Sequence, residues 1–370
     1  MHKPSFNRRA FLQGAVASSL GVALGAHWSA AGAADNLTVG VVYVGPRDDF
    51  GWNNSHAAGI QALKGLPGVK VVQEERVPET RAVVSTMESM IKTDGAKLIL
   101  GTSYGYFNPF MVDLAKKYPD VEFRHPTTLW TKDKHPANLG GYFCFIDQAH
   151  YVNGVASGLS TKSNKIGYVA AKPIPLVLRT INAMLLGARK VNPNATIHVV
   201  FTGDWSLPVR EAEATNALID AGCDVIACHV DSPKVVVATA EKRGVKSCGH
   251  NVSQASIAPK GFITGAELKY ETVYKAYAQR LQRGEKLPNM LTGGYDKDMV
   301  SNTPFGAGAS DEARTAAAAA IAELKAGKPM FVGPMKDNTG KLVLDKTYDN
   351  YDPYLDQMNY LLEGVVGSIM

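Results

Sequence analysis

The chain has 370 residues, of which 45% are apolar and 20% charged, and its formal net charge at pH 7 is +5. An apolar share of this size is ordinary for a packed globular protein and argues against extensive disorder. The 39 basic and 34 acidic residues are nearly balanced and intermixed, so the composition does not indicate a nucleic-acid-binding protein.

The N-terminal segment carries the features of a twin-arginine export signal. Arg8 and Arg9 stand in the sequence NRRAFLQ, an apolar run follows over residues 10–26, and small residues occupy positions 31–33. The apolar run is shorter than the ~20 residues that a membrane-spanning helix needs. We therefore expect residues 1–33 to be removed, and the mature protein to reach the periplasm folded and free of the membrane.

From residue 37 onward, short β-branched runs alternate with longer helical patterns, which is typical of βαβ units and parallel sheets. The predicted strands cover residues 37–44, 69–73, 97–101, 121–125, 165–169, 196–201, 225–228, 245–249 and 262–265. The predicted helices cover residues 53–66, 80–93, 107–118, 176–191, 208–221, 232–243, 269–283 and 311–326.

The series breaks once, over residues 143–160, where a predicted strand and helix are followed by the polar residues 161–164, and a fresh series of strands and helices then begins. We predict two doubly wound α/β lobes joined by a hinge, over residues 35–147 and 150–267, with part of residues 269–370 returning to the first lobe. Ligands of such sheets bind beyond the carboxyl ends of the strands, so two facing lobes enclose a cleft. Closure of the two lobes around a solute is the motion that this arrangement supports.

Candidate ligand contacts follow the first predicted strand, where Asp49, Trp52 and Asn53 stand close together. An aromatic face can stack on a flat heterocycle, while a carboxylate or amide holds its polar edge. The alternative is that Asp49 or Asn53 caps the following helix and that Trp52 packs against its neighbours.

Four segments, in order along the chain, resemble the basic membrane protein family, the purine-nucleoside-receptor-like binding proteins of ABC transporters. Residues 49–53, DFGWN, resemble the family's D-x-x-F-N signature, with tryptophan in place of phenylalanine. The other three segments are DLAKKYPDVEF at residues 113–123, the lobe-crossing segment at 143–154 and GDWSLP at 203–208. The similarity extends over essentially the whole mature chain.

The resemblance implies a type I periplasmic binding fold, a purine-like ligand held between aromatic rings, and delivery to a membrane permease. Carried over by position, Trp52 and Trp205 would stack on the ligand from the two lobes, and Asp49 and Asn53 would hold its polar edge. Three residues after the third strand would line the same cleft: Tyr104, Tyr106 and Asn108. Packing at the start of a helix is the alternative for Tyr106.

One departure from the family concerns the residues that would hold the ribose of a nucleoside ligand. Where the family commonly has G-V-D-x-D-Q, residues 249–254 read GHNVSQ, so both carboxylates are replaced and Asn251 occupies the first position. A carboxylate that accepts from two hydroxyl groups is a strong arrangement, which asparagine replaces only in part. We therefore favour a free base such as adenine over its riboside. The family's later lysine would correspond to Lys269, and Asp231 is the better placed second-lobe contact, with helix capping as its alternative.

A hydrolase is the alternative from another class. Residues 101–105, GTSYG, fit the nucleophile-elbow pattern with Ser103 as nucleophile, between a predicted strand and a helix. The sequence gives neither a glycine-rich oxyanion loop nor a histidine recognisable as the base, and a triad is defined by geometry. We therefore predict a binding protein and not an enzyme.

The sequence predicts no cofactor and no metal site, because the usual metal and nucleotide motifs are missing from it. Its four cysteines, Cys144, Cys223, Cys228 and Cys248, are either buried thiols or include a disulfide between Cys228 and Cys248.

Taken together, these patterns predict a monomeric periplasmic receptor that hands adenine or a related purine to an ABC permease. Three alternatives stay open: a purine nucleoside as ligand, another planar or acidic solute, or a role in signalling instead of uptake.

Overall fold

A computed structural model describes residues 36–369 of the chain. The predicted twin-arginine signal at residues 1–33 lies outside the described residues. The strands are β1 (Leu37–Val42), β2 (Val69–Glu74), β3 (Leu98–Gly101), β4 (Glu122–His125), β5 (Leu139–Cys144), β6 (Lys165–Ala170), β7 (Thr196–Phe201), β8 (Val225–His229), β9 (Lys246–Asn251), β10 (Phe262–Leu268), β11 (Met290–Gly293), β12 (Val300–Asn302), β13 (Phe331–Val332), β14 (Met335–Lys336), β15 (Leu342–Leu344), β16 (Thr347–Tyr348) and β17 (Val365–Val366). The α-helices are α1 (Trp52–Leu63), α2 (Ala82–Lys92), α3 (Val112–Lys117), α4 (Asp147–Gly158), α5 (Pro175–Val191), α6 (Pro208–Asp220), α7 (Lys234–Lys242), α8 (Tyr270–Gln282) and α9 (Asp311–Lys325).

Two large sheets define the two lobes. The first-lobe sheet has the strand order β11-β5-β4-β3-β1-β2, and the second-lobe sheet has the order β12-β10-β9-β8-β6-β7-β17. Within these sheets β12 pairs antiparallel with β10, and the other pairings are parallel. The predicted α/β fold class is confirmed. In each sheet the strand order reverses beside the first strand of that lobe, β1 or β6, and such points are where ligands bind in open parallel sheets.

The chain crosses between the sheets three times. Residues 145–146 connect β5 to α4, Lys269 connects β10 to α8, and residues 294–299 connect β11 to β12. After Lys269, α8 packs on α1, and β11 is the edge strand of the first-lobe sheet.

The central strands β3 and β8 are buried along their whole length, as expected for parallel strands covered by helices on both faces. In the second lobe α4 and α5 pack unusually closely, because glycines stand where their backbones meet. A methyl group on Gly154 would overlap the Met184 carbonyl oxygen, and one on Gly187 would overlap that of Tyr151. This contact fixes the position of α4, which carries His150, relative to the second-lobe sheet.

The C-terminal segment forms two small antiparallel pairs, β13 with β16 and β14 with β15, and ends with β17 at the edge of the second-lobe sheet. It brings Asp356 to Arg179 of α5, with an Nη1 to Oδ1 distance of 2.8 Å. The four cysteines are free and buried. Among residues 36–369, no helix is both long and apolar enough to cross a membrane.

Candidate functional site

A cavity of 590 Å³ lies between the carboxyl ends of the two sets of strands. The first lobe contributes residues from the loops after β1 to β4, such as Trp52, Ser103 and Tyr104. The second lobe contributes residues after β6, β7 and β8 and from β9, including Trp205 and Asp231. A cavity of about 300–1,000 Å³ that opens at such a position is typical of a small-molecule site.

The lobes touch at one edge of this cavity through what we call the interlobe contact, between residues 49–52 and residues 231–254. The Trp52 N–H donates to the Asp231 carbonyl oxygen at 2.8 Å. The Ser232 hydroxyl donates to the Asp49 carbonyl oxygen at 2.7 Å, and the Gln254 amide donates to the Phe50 carbonyl oxygen at 2.8 Å. The structure is therefore closed at this edge by hydrogen bonds that the protein makes with itself.

Five of the sequence-predicted site residues line the cavity: Trp52, Tyr104, Trp205, Asp231 and Asn251. Trp52 is held in place because its indole N–H donates to the Thr102 carbonyl oxygen at 2.7 Å. Tyr104 is 66% exposed, so its phenol ring is accessible from the cleft.

Asp49 and Asn53 do not line the cavity, because their polar atoms are used within the loop that starts α1. The Asp49 carboxylate accepts from the backbone N–H groups of Gly51, Asn53 and Asn54, at 2.8 to 2.9 Å. The Asn53 amide donates to the same carboxylate at 2.8 Å, and its oxygen accepts from the Gly45 N–H at 3.2 Å. These two residues hold the loop that presents Trp52.

Tyr106, Asn108 and Lys269 also lie outside the cavity. Tyr106 is fully buried in the first lobe, and its hydroxyl donates to the Val77 carbonyl oxygen at 2.5 Å. Asn108 is exposed. Lys269 lies in the second crossing between the lobes, where its ammonium group pairs with Glu271 at 3.1 Å and with Asp298 at 3.6 Å.

Asn251 presents an unused acceptor at the cavity wall. It is 2% exposed, has φ of 68° in the left-handed region, and its side-chain oxygen has no hydrogen-bond partner among the described residues. A buried polar atom without a partner costs free energy, and asparagine is one of the few side chains that tolerate this backbone conformation. The arrangement suits a hydrogen-bond donor on a bound molecule.

Asp231 lies at the centre of a group of acidic residues. Its side chain is half-buried in the cleft, and enclosure by both lobes raises its pKa to about 8. The negative charges of Asp49, Glu211, Glu79 and Asp204 add to this effect. At neutral pH the Asp231 carboxyl group is therefore mainly protonated, so that it can donate a hydrogen bond as well as accept one.

The cationic groups of the cavity wall are paired. Lys172 lies 2.7 Å from Asp204, and this hydrogen bond lowers the pKa of the Asp204 carboxyl group. The Arg179 guanidinium group contacts Asp147 and Asp356, each at 2.8 Å, and donates to the Asn350 carbonyl oxygen at 2.5 Å.

Three histidines form a buried group in the second lobe. His229 and His250 line the cavity, and His150 lies behind them on α4. Burial lowers the pKa of His229 to about 3 and the pKa values of His150 and His250 well below the usual range. All three imidazoles are therefore neutral at neutral pH.

Ser103 is not arranged as a hydrolytic nucleophile. Its hydroxyl donates to the Glu79 carboxylate at 2.5 Å. His125 is the histidine that contacts Ser103, and its Nε2 lies 2.7 Å from the Ser103 backbone carbonyl oxygen, not from the hydroxyl. The glycine of the motif at position 105 donates its N–H to Glu79 as well, at 2.6 Å.

Sequence reasoning did not select several residues that line the cavity. Glu79, Lys172, Arg179 and Asp356 come from a loop after β2, a loop after β6, an interior helix face and the C-terminal segment. The strand-end rule that drew attention to Asp49 and Asp231 also applies to His229 and His250, which end β8 and nearly end β9. That rule was the available signal for the two histidines, and no comparable signal existed for Asp356.

Comparison with known proteins identifies relatives over most of the chain. Residues 36–303 match the model of the Bmp family, described as "ABC transporter substrate-binding protein PnrA-like". A purine-binding protein of Brucella abortus is 33% identical over 354 residues, which are 95% of this chain and 98% of that protein. A Haloferax volcanii protein, provisionally named as an ABC transporter glucose-binding protein, is 34% identical over 75% of this chain and 69% of its own length.

Solved structures share the fold. A solute-binding protein of an ABC transporter system from Conexibacter woesei superposes with a TM-score of 0.68 at 22% identity, over 79% of this chain and 97% of that one. This likeness confirms the predicted type I periplasmic binding fold.

The interlobe contact predicts a sensitive position at Gly51. A methyl group there would overlap the Asp231 carbonyl oxygen. Gly51→Ala should therefore hold the lobes apart without disturbing either core. Spin labels on cysteines introduced at the exposed positions Asp113 and Lys242, one in each lobe, would report the distance between the lobes, because the native cysteines are buried.

We expect a closed population in the parent protein that is lost in Gly51→Ala. Gly65→Ala is the matched control, because a methyl group at Gly65 would meet only the Ala62 carbonyl oxygen, at an ordinary 3.7 Å. Equal distance distributions in Gly51→Ala and Gly65→Ala would contradict the role of the contact.

Proposed function

Because this chain belongs to the PnrA-like family of ABC transporter substrate-binding proteins, we propose that it is a periplasmic receptor for a purine-like base, adenine or a close relative. The receptor is a monomer. It binds the base between its lobes and delivers the base to the permease. The predicted twin-arginine signal at residues 1–33 supports the periplasmic location. The similarity to a purine-binding protein of Brucella abortus supports the ligand class.

One observation carries the choice of ligand: two tryptophans from opposite lobes, Trp52 and Trp205, line one cavity. Flat ring systems stack on aromatic side chains without regard to their exact substituents, so the pair suits a heteroaromatic ligand. The polar edge of such a ligand would meet Asn251, which offers an acceptor, and the protonated Asp231, which offers a donor. A purine carries both donors and acceptors along its edge.

The charges of the wall favour a neutral ligand over an acidic solute. The cationic groups Lys172 and Arg179 are already paired with carboxylates. An anionic ligand would have to break one of these pairs, leaving a carboxylate without its partner.

Binding is coupled to closure in this proposal. A ligand held by Trp52 on one side and Trp205 on the other interacts with both lobes only when they are closed. It therefore stabilises the closed state, which the permease distinguishes from the open one. The interlobe contact stabilises the closed state without ligand, and a bound ligand stabilises it further.

The test of the ligand class is titration calorimetry of ligand-stripped mature protein. The panel contains purine bases, their ribosides, glucose, riboflavin and small carboxylates. Glucose is included because the Haloferax volcanii relative is named for it. We expect a purine base to bind more tightly than its riboside, because Asn251 replaces the family's carboxylate. Tighter binding of the riboside would contradict the argument from Asn251, and binding of glucose alone would contradict the proposal of a purine ligand.

Replacing either Trp52 or Trp205 with alanine should weaken binding of the base by about 1–3 kcal/mol, the loss typical of one aromatic stacking partner. Trp205→Phe keeps an aromatic face and should retain most of the affinity. Trp130→Ala is the control, since Trp130 is half-buried but does not line the cavity. Equal calorimetric affinities for Trp205→Ala and Trp130→Ala would remove Trp205 from the site.

The raised pKa of Asp231 predicts a pH dependence. Closure raises this pKa, so the closed state binds the proton more tightly than the open state. The contribution of this proton to closure is thus full below the pKa of the open state, decreases as the pH rises above it, and is lost once the pH has risen through the closed-state pKa of about 8. Affinity for a ligand that does not itself titrate should fall between pH 6.5 and pH 9.

Asp231→Asn cannot ionise and should show a much smaller change over the same range. Calorimetry at pH 6.5 and pH 9 measures the change in affinity for the parent protein and for Asp231→Asn. A parent affinity that is constant across this range would show that Asp231 does not titrate on closure.

A further inference from the structure

The histidine group has the composition and spacing of a metal site. His150, His229 and His250 are each at most 5% exposed, and one ring nitrogen from each lies within 4.8 Å of the others. Their ring centroids are 4.2 Å apart for His229 and His250, 5.1 Å for His150 and His250, and 5.9 Å for His150 and His229. The three residues come from α4, β8 and β9, so their spacing in the sequence does not match a metal-binding motif.

Hydroxyl groups beside the cluster determine which ring nitrogens of His229 and His150 carry a proton. The Thr180 hydroxyl donates to the Val177 carbonyl oxygen at 2.8 Å, so its oxygen can only accept from its other neighbours. It accepts from the Tyr168 hydroxyl at 3.2 Å and therefore also from Nδ1–H of His229, at 2.9 Å. The His229 Nε2 atom is left with its lone pair free of a proton.

The same reasoning applies to His150. Because the Tyr168 hydroxyl proton is directed to Thr180, the Tyr168 oxygen accepts from Nδ1–H of His150, at 3.2 Å. The Nε2 lone pair of His150 then points to Nδ1 of His250, 2.9 Å away. Two of the three imidazoles thus keep an unprotonated Nε2 atom and anchor their Nδ1–H group to a hydroxyl group, and the Nε2 atom of His150 faces His250.

This is how proteins hold metal-binding histidines, since a hydrogen bond to the outer nitrogen fixes both the tautomer and the direction of the ring. Neutral imidazole is a good ligand for divalent zinc, copper and nickel. A tetrahedral zinc ion with Zn–N distances of about 2.0–2.1 Å would hold neighbouring nitrogens ~3.3 Å apart. The His150–His250 pair therefore needs to open slightly from its 2.9 Å.

We propose that His150, His229 and His250 bind one divalent transition-metal ion in the second-lobe wall of the cavity. When the ion binds, His250 carries its proton on Nε2 and coordinates through Nδ1. Three histidines leave a fourth coordination position, and His229 and His250 place the ion beside the cavity.

The ion belongs to the protein and is not its transported solute. All three ligands lie in the second lobe, and α4 is fixed there by its close packing on α5. Binding of the ion therefore does not require the lobes to close. A transported solute, in contrast, is held from both sides and drives closure.

The test uses zinc alone as probe, on mature protein treated with a chelator and then freed of it. Competition with a chromogenic chelator should show one tight zinc site per chain. His150→Gln removes a ligand that does not line the cavity and should weaken zinc binding at least ~100-fold, the upper range for losing even an outer partner. His198→Gln is the matched control, because His198 lies half-buried on β7 away from the cluster and should have no effect.

Thr180→Val keeps all three ligands and removes the hydroxyl group that orients His229. We expect it to weaken zinc binding ~10- to 100-fold, as is usual for outer partners. Circular dichroism and thermal unfolding of each variant separate loss of zinc from loss of the fold. With cobalt in place of zinc, visible absorption bands should report imidazole coordination in the parent protein and not in His150→Gln.

The absence of a stoichiometric zinc site in the parent protein, or equal zinc affinity of His150→Gln and His198→Gln, would overturn the proposal. The readout does not involve the organic ligand, so the result is independent of whether a purine binds.

Discussion

The hydrogen bond from the Trp52 N–H to the Asp231 carbonyl oxygen is the constraint on which the site depends. Both residues also line the cavity, so the bond that closes the lobes sets the distance between the two walls. Gly51 permits this approach, since a side chain there would meet the opposite backbone. The carboxylate of Asp49 stabilises the same turn by accepting hydrogen bonds from three backbone N–H groups. The loop after β1 is therefore rigid on its own lobe and complementary to the other one.

The two walls of the cavity differ in what holds them. On the first lobe, Trp52 and Ser103 are fixed by a backbone carbonyl group and by the Glu79 carboxylate. On the second lobe, a connected set of hydroxyl and imidazole groups runs from Val177 to His250. Such a network is stable in the interior only when its members satisfy one another. Two of its neutral histidines, His229 and His250, line the cavity, and the third, His150, lies behind them. A metal ion in this network would stiffen the second-lobe wall and leave the hinge free to move.

The sequence predicted the architecture well because alternating strands and helices leave a strong periodic signal. Strands that are short or at the sheet edges were missed, such as Met290–Gly293 and Val300–Asn302, since four or three residues carry little pattern. At the site, the positions of the strand ends selected Trp52 and Asp231, and the family resemblance added Trp205. Whether Asp49 faced a ligand or capped α1 was beyond sequence reasoning, because both roles use one short acidic side chain in the same turn. The strand-end rule could have selected His229 and His250 one by one, but the approach of His150 to them depends on tertiary packing of three distant segments, which no local pattern encodes.

The charge balance of the cavity indicates how selectivity would arise. Lys172 and Arg179 are paired, Asp231 is mainly protonated at neutral pH, and the histidines are neutral. Glu79, which also lines the cavity, accepts from the Ser103 hydroxyl and the Gly105 N–H. In the metal-free protein the wall therefore disfavours an anionic solute, and hydrogen-bond complementarity must distinguish among the other solutes. A site with buried polar groups rejects a molecule that cannot pair with them more strongly than an apolar site rejects one that is merely too small. Asn251 is such a group, since its buried oxygen has no partner among the described residues. Where the family resemblance places a carboxylate, this chain thus offers a neutral acceptor at the cavity wall.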